Sequence, residues 1–191
     1  MRKEVSDKRP LDIATFGAGC FWCTEAIFQL LRGVIKVVPG YSGGSVKNPS
    51  YYEVCKGDTG HAEVCQVYYD PESISYDELM EIFWLIHDPT ALNYQDYDIG
   101  PQYRSVVYYH NQEQEKISLE YKDMLGLSGT YKGPIVTEIK PLAEFYKAEI
   151  CHMNYYFLNA NTPYSIYVIA PKLAKFRKVF RDKLKTAQAI N

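Results

Sequence analysis

Strand-like and helix-like segments alternate along this chain, and their order limits its possible folds more than any other feature. The apolar segment "LDIATFGAG" ends in glycines, and "CFWCTEAIFQLLRG" follows at once with apolar residues at helical spacing. Two strands, the capped helix "SYDELMEIFWLIH" and the strand "RSVVYY" come next. This β-α-β-β-α-β order predicts an α+β fold: a two-layer plait with a ferredoxin-like core, a mixed or antiparallel sheet and helices on one side.

The C-terminal third predicts further helices. After the helix "NQEQEKISLEYKDML" and the strand "PIVTEIKPL", the aromatic-rich segment "AEFYKAEICHMNYYFL" is expected to be helical, as is the basic amphipathic segment "APKLAKFRKVFRDKLK". We expect the last helix to dock its apolar stripe on the domain; the alternative is binding to an anionic surface. The whole chain, residues 1–191, is predicted to be a single domain with a core over about 11–180 and a flexible segment over 1–10.

Composition excludes several classes of function. The net charge of -2 does not favour nucleic acid, and no apolar run reaches the length of about 20 residues that a membrane span needs. The charged start "MRKEVSDKRP" does not resemble a secretory signal. The 5 cysteines are odd in number and unevenly spaced, which predicts reduced thiols and not a disulfide framework. We therefore expect a cytoplasmic protein, and a monomer.

Cys20 is the first candidate for chemistry, because it lies where a predicted strand turns into a helix N-terminus. Free backbone N–H groups and the positive end of the helix dipole favour a thiolate there, which is the nucleophilic form of cysteine. The alternative is a buried structural cysteine.

The neighbours of Cys20 allow more than one interpretation. Cys23 completes a C-x-x-C spacing, which is typical of a dithiol pair, whereas a zinc site would need distant ligands to meet. Phe21 and Trp22 between them form either an apolar wall beside a nucleophile or part of the core.

Glu63 is the second candidate. In the predicted strand "HAEVCQVYYDP", alternation places Glu63 on the face of Cys65 and Val67, among apolar and aromatic residues. Burial raises the pKa of a carboxyl group, and an acid that stays protonated near neutral pH is a proton donor. The alternative is an exposed strand carboxylate.

Several motifs together make the chain resemble the A-type peptide methionine sulfoxide reductases. They occur in the family's order and approximate spacing from about Ile13 to Phe180, and they read "GCFWC", "GYSGG", "NPSYYEVCKGDTGHAE", "YDP", "FWLIHDPT" and "GPQYRS". The resemblance implies thiol-dependent reduction of methionine S-sulfoxide, free or in proteins, to methionine, and hence repair of oxidised proteins. It implies no metal and no organic cofactor, only an external thiol reductant such as thioredoxin.

The resemblance also assigns roles to residues. Cys20 matches the nucleophile that becomes a sulfenic acid, and Glu63 matches the acid that faces the sulfoxide oxygen. Phe21 and Trp22 match the pocket for the substrate methyl group. The hydroxyl groups that bond the oxygen fall on Tyr51 and Tyr103, the further family acid falls on Asp98, and His61 matches the histidine that supports the site.

The chain departs from the family at the position of the usual recycling cysteine, where it carries Ser165. Three routes then remain for the Cys20 sulfenic acid: attack by Cys23, by Cys151 or by an external thiol. Two other classes of function also stay open. One is a binding protein that recognises oxidised methionine without turnover, and the other is a thioredoxin-like dithiol exchanger.

Overall fold

The computed structural model describes residues 10–186, and its helices and strands confirm the predicted α+β class. The flexible segment expected over 1–10 lies outside the described residues except for Pro10. The strands are β1 (Asp12–Ala18), β2 (Val34–Ser42), β3 (Ala62–Tyr69), β4 (Tyr94–Gln95), β5 (Asp98–Ile99), β6 (Ser105–Tyr109), β7 (Glu138–Pro141) and β8 (Phe145–Lys147). The helices are α1 (Phe21–Phe28), α2 (Tyr51–Cys55), α3 (Tyr76–Leu85), α4 (Gln112–Leu127), α5 (Tyr155–Leu158) and α6 (Ala170–Val179).

Six of the strands form one mixed sheet in the order β7-β6-β1-β3-β2-β8. All neighbours in it are antiparallel except β6 and β7, which run parallel. Strand β3 therefore lies between β1 and β2, with Thr15 opposite Gln66 and Tyr41 opposite Glu63. The two short strands β4 and β5 pair separately as a hairpin.

The two faces of β3 belong to different clusters, as strand alternation predicts. Cys65, Val67 and Tyr69 pack into the main core with α1 and α3, whereas Ala62 and Val64 pack into a smaller cluster on the other face. Alternation places Glu63 on the same face as Cys65, so its side chain points to the helix-covered side of the sheet. The sheet thus delivers a carboxyl group to the start of α1.

Local sequence signals define the helix starts near this face. The Ser50 side chain before α2 and the Ser75 side chain before α3 each accept a hydrogen bond from the backbone N–H three residues on. The side chains of Glu53 and Glu78 in turn accept from the backbone N–H of these serines, which completes a capping box at both helices. The cap predicted for the helix "SYDELMEIFWLIH" is confirmed, and it consists of Ser75 and Glu78. Within residues 10–186, no helix combines the length and the apolar character that crossing a membrane requires.

The C-terminal third contains the main correction to the predicted fold. The segment expected to be helical over 143–158 instead forms β8, a short 3-10 turn and the four-residue helix α5. Strand β8 forms because it pairs with the edge of β2, placing Tyr146 opposite Tyr41, and this pairing outweighs the local preference for helix.

The terminal helix α6 is shorter than predicted, because it ends at Val179 and a 3-10 turn follows. A π-helical stretch, Ser165–Ile169, leads directly into it. The expected docking of its apolar stripe is confirmed, since Leu173, Phe176 and Phe180 are buried in the main core. This docking brings the N-terminal end of α6 close to α1.

Candidate active site

Cys20 occupies the junction between β1 and α1, as predicted. Gly19 makes the turn with φ 88°, and a Cβ atom there would lie 2.7 Å from Cβ of Gln95, so the turn requires glycine. Cys20 is the N-cap residue of α1, and its carbonyl accepts hydrogen bonds from the backbone N–H groups of Cys23 (3.1 Å) and Thr24 (3.3 Å). The thiol is thereby fixed at the start of the helix.

The environment of the Cys20 thiol differs from the sequence-based expectation of a thiolate. The side chain is buried, and burial raises its pKa well above the ordinary value, with the hydrogen bond to Cys23 adding to the rise. The Tyr164 hydroxyl lowers this pKa, and Asp98 raises it. Desolvation outweighs the helix N-terminus, so the free protein holds Cys20 as a neutral thiol at neutral pH.

Glu63 meets the expectation of a buried acid. It is 1% exposed, and its Oε2 accepts a hydrogen bond from the backbone N–H of Phe21 at 2.9 Å. Burial raises its pKa well above the ordinary value, and the nearby Cys20 raises it further, whereas the Phe21 N–H opposes the shift. Burial therefore favours the protonated form of the carboxyl group, which is held against the residue that follows the candidate nucleophile.

Phe21 and Trp22 belong to a group of rings that we call the aromatic cluster. Trp22 stacks on Tyr155 with ring centroids 3.6 Å apart and an angle of 6°, and its indole N–H donates to Nδ1 of His152 at 3.2 Å. Phe21 is buried, whereas Trp22 is partly exposed. The members of the cluster are Phe21, Trp22, Tyr51, His152, Tyr155 and Tyr164.

Tyr51, Tyr103 and Asp98 also come to this region. Tyr51 begins α2 and stacks against Phe21, while Tyr103 ends the 3-10 turn Pro101–Tyr103. Burial raises the pKa of both phenols, and the charge of Glu63 raises each further, so both remain hydroxyl donors. Asp98, on β5, accepts a hydrogen bond of 2.6 Å from the hydroxyl of Tyr164. The structure therefore brings these residues into the surroundings of Cys20 and Glu63.

The sequence analysis missed two buried or bridging carboxylates that hold the cluster together. Glu149 accepts from the backbone N–H of Tyr51 at 2.7 Å and from the hydroxyl of Tyr41 at 2.9 Å. Glu25, on α1, is 2% exposed and accepts from the backbone N–H of Asn154 at 2.8 Å. Burial raises the pKa of Glu25 to about 7. A glutamate within the apolar run of α1 was the available signal for Glu25, whereas nothing in the sequence pattern indicated Glu149.

Tyr164 and Lys172 were missed as well, because both come from the C-terminal segment. The Tyr164 hydroxyl is hydrogen-bonded to Cys20 as well as to Asp98, and burial raises its pKa. The Lys172 ammonium forms an ion pair of 2.7 Å with Asp96 and acts electrostatically on Cys23. Ser165 between them is fully buried and bonded to the Thr162 hydroxyl.

The remaining cysteines and His61 have separate surroundings. The Cys65 thiol donates to the carbonyl of Phe21 at 3.4 Å, Cys55 is hydrogen-bonded to the Tyr51 hydroxyl, and Cys151 is exposed. His61 accepts from the backbone N–H of Gly44 at 3.1 Å and bonds the carbonyl of Val46 at 2.7 Å, so it holds the loop after β2. Among residues 10–186, no group of three or more side chains that could hold a metal ion comes together.

A cavity of about 690 Å³ lies outside this region, between the end of α3, the loop before β4 and α6. Ile27, Phe176 and Phe180 form its apolar part, and Lys132, Lys172 and Lys175 form its basic part. Neither Cys20 nor Glu63 lines it. The candidate active site is therefore identified by its chemistry and not by its volume.

The chain is similar to known proteins over nearly its whole length. A family model described as peptide methionine sulfoxide reductase matches residues 12–184. Peptide methionine sulfoxide reductase MsrA of Saccharolobus solfataricus is 50% identical over 175 residues, covering 92% of this chain and 98% of the relative. The protein of the same name from Sulfolobus acidocaldarius is 51% identical over 177 residues, covering 91% and 97%.

Solved structures agree with this similarity. Methionine sulfoxide reductase A of Corynebacterium diphtheriae has a TM-score of 0.73 and 36% identity, covering 81% of this chain and 78% of that chain. Reduced Mxr1 from Saccharomyces cerevisiae has a TM-score of 0.70 and 34% identity, covering 82% and 90%. Mxr1 in complex with Trx2 has a TM-score of 0.54 and 24% identity, covering 81% and 92%, which shows the shared fold.

Proposed function

This chain belongs to the peptide methionine sulfoxide reductase family, MsrA, and we propose that Cys20 is the nucleophile of its reaction and Glu63 the proton donor. The protein is a peptide-methionine (S)-S-oxide reductase, which reduces oxidised methionine and so repairs it. The observation that carries the assignment is the bond between the Glu63 carboxyl group and the backbone N–H of Phe21, the residue that follows Cys20. This bond holds a protonated acid beside a buried thiol.

The chemistry of a sulfoxide explains why an acid is needed. Its oxygen is a strong hydrogen-bond acceptor but leaves sulfur only after protonation, and protonation also makes the sulfur electrophilic. Glu63 supplies the proton, while the Tyr51 and Tyr103 hydroxyls donate to the same oxygen as negative charge develops on it. The raised pKa values of all three groups support this role, because each shift favours the protonated form that can donate.

The overall step balances in atoms and electrons. One thiol and one sulfoxide give one sulfenic acid and one thioether, with two electrons passing from the Cys20 sulfur to the methionine sulfur. Glu63 gives its proton to the oxygen and regains one when the Cys20 thiol loses its own. A neutral Cys20 thiol in the free protein fits this coupling, since the thiol gives up its proton only when substrate is bound and Glu63 has donated its own.

The aromatic cluster supplies the wall for the substrate methyl group. Phe21 and Trp22 are fixed by stacking on Tyr51 and Tyr155, so the wall has one orientation relative to the hydroxyl donors. When the methyl group contacts this wall and the oxygen lies at Glu63, the sulfur faces Cys20 in only one of the two sulfoxide epimers. This arrangement supports selection of a single epimer, and the family assignment identifies it as S. Asp98 accepts a hydrogen bond from the Tyr164 hydroxyl, which also acts on Cys20.

Oxidised methionine in proteins and free methionine sulfoxide are the proposed substrates, and thioredoxin or another external thiol is the proposed reductant. The yeast relative Mxr1 has been solved in complex with Trx2, which supports thioredoxin. We propose no organic or metal cofactor, and no nucleic-acid or membrane partner. A cytoplasmic setting and a monomer remain proposals, and the five free cysteines support the reducing compartment.

We further propose that the chain forms one reductase domain and that its core is a ferredoxin-like plait. The family match over residues 12–184 supports a single domain. The sheet order β6-β1-β3-β2, antiparallel throughout, supports the plait, with α1 connecting β1 to β2 and α3 lying between β3 and β6 in the chain.

The test is turnover of each sulfoxide epimer in a methionine-containing peptide, with dithiothreitol as reductant. We expect the wild-type protein to consume the S epimer and Cys20→Ser to have no activity, while Cys151→Ser, which changes an exposed cysteine, retains full activity. Binding of the peptide without turnover would instead identify a binding protein. Efficient reduction of insulin disulfides without sulfoxide reduction would identify a dithiol exchanger.

A further inference from the structure

We propose that Cys23 is the thiol that resolves the Cys20 sulfenic acid. The inference rests on the proposed role of Cys20 and extends it to the second half of the catalytic cycle. The two cysteines of the C-x-x-C motif would form a disulfide within the chain, and the external reductant would then reduce it.

The two cysteines lie one helical turn apart. Cys23 is the third residue of α1, its backbone N–H bonds to the carbonyl of Cys20 at 3.1 Å, both side chains are buried, and each thiol affects the pKa of the other. A rigid helical turn would restrict the dihedral angles that a disulfide needs. Cys20 lies outside that turn, because as the N-cap it has φ -58° and ψ 125°, which is not helical. Its side chain can therefore reach Cys23 while α1 stays intact.

The positive charge of Lys172 acts on Cys23. Lys172 lies on α6. The hydrogen bond with Cys20 lowers the pKa of Cys23; burial opposes this, and the positive charge of Lys172 lowers the pKa further. An ion pair with Asp96 fixes the position of Lys172. The charged or titratable groups that face Cys23 are Cys20, Lys172, Asp98 and Tyr164.

The other cysteines of the chain are less well placed. Cys65 is fully buried and donates to the Phe21 carbonyl, and Cys55 is bonded to Tyr51, with burial raising the pKa of both thiols. Cys151 is exposed, on the 3-10 turn Ile150–His152. Of these four cysteines, Cys23 alone donates a backbone hydrogen bond to Cys20 in the described part of the chain.

The proposed step is a condensation. The Cys23 thiolate attacks the sulfur of the Cys20 sulfenic acid, an S–S bond forms, the S–O bond breaks, and the oxygen leaves as water with a proton from its surroundings. No further oxidant is needed, because the sulfenic acid already carries the oxidising equivalent. An external dithiol of the thioredoxin class then reduces the disulfide by thiol–disulfide exchange, and its own two thiols become a disulfide.

The test is a single turnover without reductant: one equivalent of the S-sulfoxide peptide, followed by released thioether and by intact mass. We expect the wild type, Cys55→Ser and Cys151→Ser to release one equivalent and to become lighter by two hydrogens, with digestion locating a Cys20–Cys23 disulfide. Cys23→Ser and Cys23→Ala should release product and become heavier by one oxygen. A two-hydrogen loss in these variants, or a stable oxygen gain in the wild type, would overturn the proposal. If no thioether were released, the proposed role of Cys20 as the nucleophile would be contradicted.

The role of Lys172 is tested by the pH dependence of disulfide formation after the sulfenic acid has formed. Lys172→Gln should move the midpoint of this rate to higher pH and slow it on the order of tenfold at neutral pH, because each pH unit below the thiol pKa lowers the thiolate fraction about tenfold. Lys172→Arg should restore the wild-type profile, and Lys175→Gln, on the same helix, should leave it unchanged. An unshifted midpoint in Lys172→Gln would remove Lys172 from the step.

Discussion

Replacement of Glu63 by glutamine isolates proton transfer from every other property of the site. Glutamine keeps the size of the side chain, and its oxygen can still accept the 2.9 Å bond from the backbone N–H of Phe21. Its amide can donate a hydrogen bond to the sulfoxide oxygen but cannot give up a proton there. The variant should therefore fold and bind substrate, and it should fail at the step in which the S–O bond breaks.

The expected loss is about 10²- to 10³-fold in kcat, equivalent to about 2.7–4 kcal/mol of transition-state stabilisation, by analogy with removal of one donor to a developing oxyanion. KM should change little, because the oxygen keeps a hydrogen-bond partner. The pH profile gives a second signal. Since the pKa of Glu63 is raised, the wild-type rate should fall as rising pH removes this proton, and the fall should be absent in Glu63→Gln.

The assay is initial-rate reduction of the S-sulfoxide peptide with dithiothreitol in excess, measured over a range of pH. Glu120→Gln provides the same chemical change on the exposed side of α4 and should retain wild-type activity. Denaturant unfolding of Glu63→Gln should agree with the wild type within about 1 kcal/mol, the contribution of a typical hydrogen bond. A Glu63→Gln enzyme with wild-type kcat would refute proton donation by Glu63.

Four further changes test other parts of the structure. Tyr103→Phe should lower kcat on the order of 10²-fold in the same assay, because one hydroxyl donor to the sulfoxide oxygen is lost; an unchanged kcat would exclude it as a donor. Trp22→Ala should raise KM and weaken discrimination between the epimers. If the variant preferred the S epimer as strongly as the wild type does, Trp22 would not form part of the wall for the methyl group. Burial raises the pKa of Glu25 from its ordinary 4.5 to about 7, so the folded state binds more protons than the unfolded state between these pH values, and the free energy of unfolding should fall as pH rises through this range. Glu25→Gln should flatten this fall in denaturant titrations at several pH values, and an unaltered slope would contradict the role of Glu25. Phe83→Ala should lower the free energy of unfolding by about 3–5 kcal/mol in the same titrations, because the ring is fully buried and stacks on Phe16 with centroids 5.0 Å apart. A loss below about 1 kcal/mol would show that the core collapses around the cavity.

The parts of the fold that follow from local signals were predictable. Helix α3 begins at a capping box and carries a regular apolar stripe, and the position of Cys20 follows from a strand that ends in glycine before an apolar helix. Strand alternation was enough to place Glu63 on the face of Cys65 and Val67, and the structure shows that this face packs against α1. These predictions succeeded because neighbours in sequence determine them.

The parts that depend on distant segments were not predictable. Strand β8 forms only because the edge of β2 is free to pair with it, and a single sequence gives no sign of that pairing. The pKa of Cys20 illustrates the same limit at the site. Position alone predicts a thiolate, but burial raises the pKa, and residues more than a hundred positions away act on the thiols: Tyr164 on both and Lys172 on Cys23.

The central claim is that the Cys20 thiol takes the oxygen of a methionine S-sulfoxide. Its most direct test is the amount of methionine that the enzyme releases from each epimer when no reductant is present. The account predicts about one methionine per chain from the S epimer, none from the R epimer, and none from Cys20→Ser with either. Methionine released by Cys20→Ser, or by the wild type from the R epimer, would contradict it.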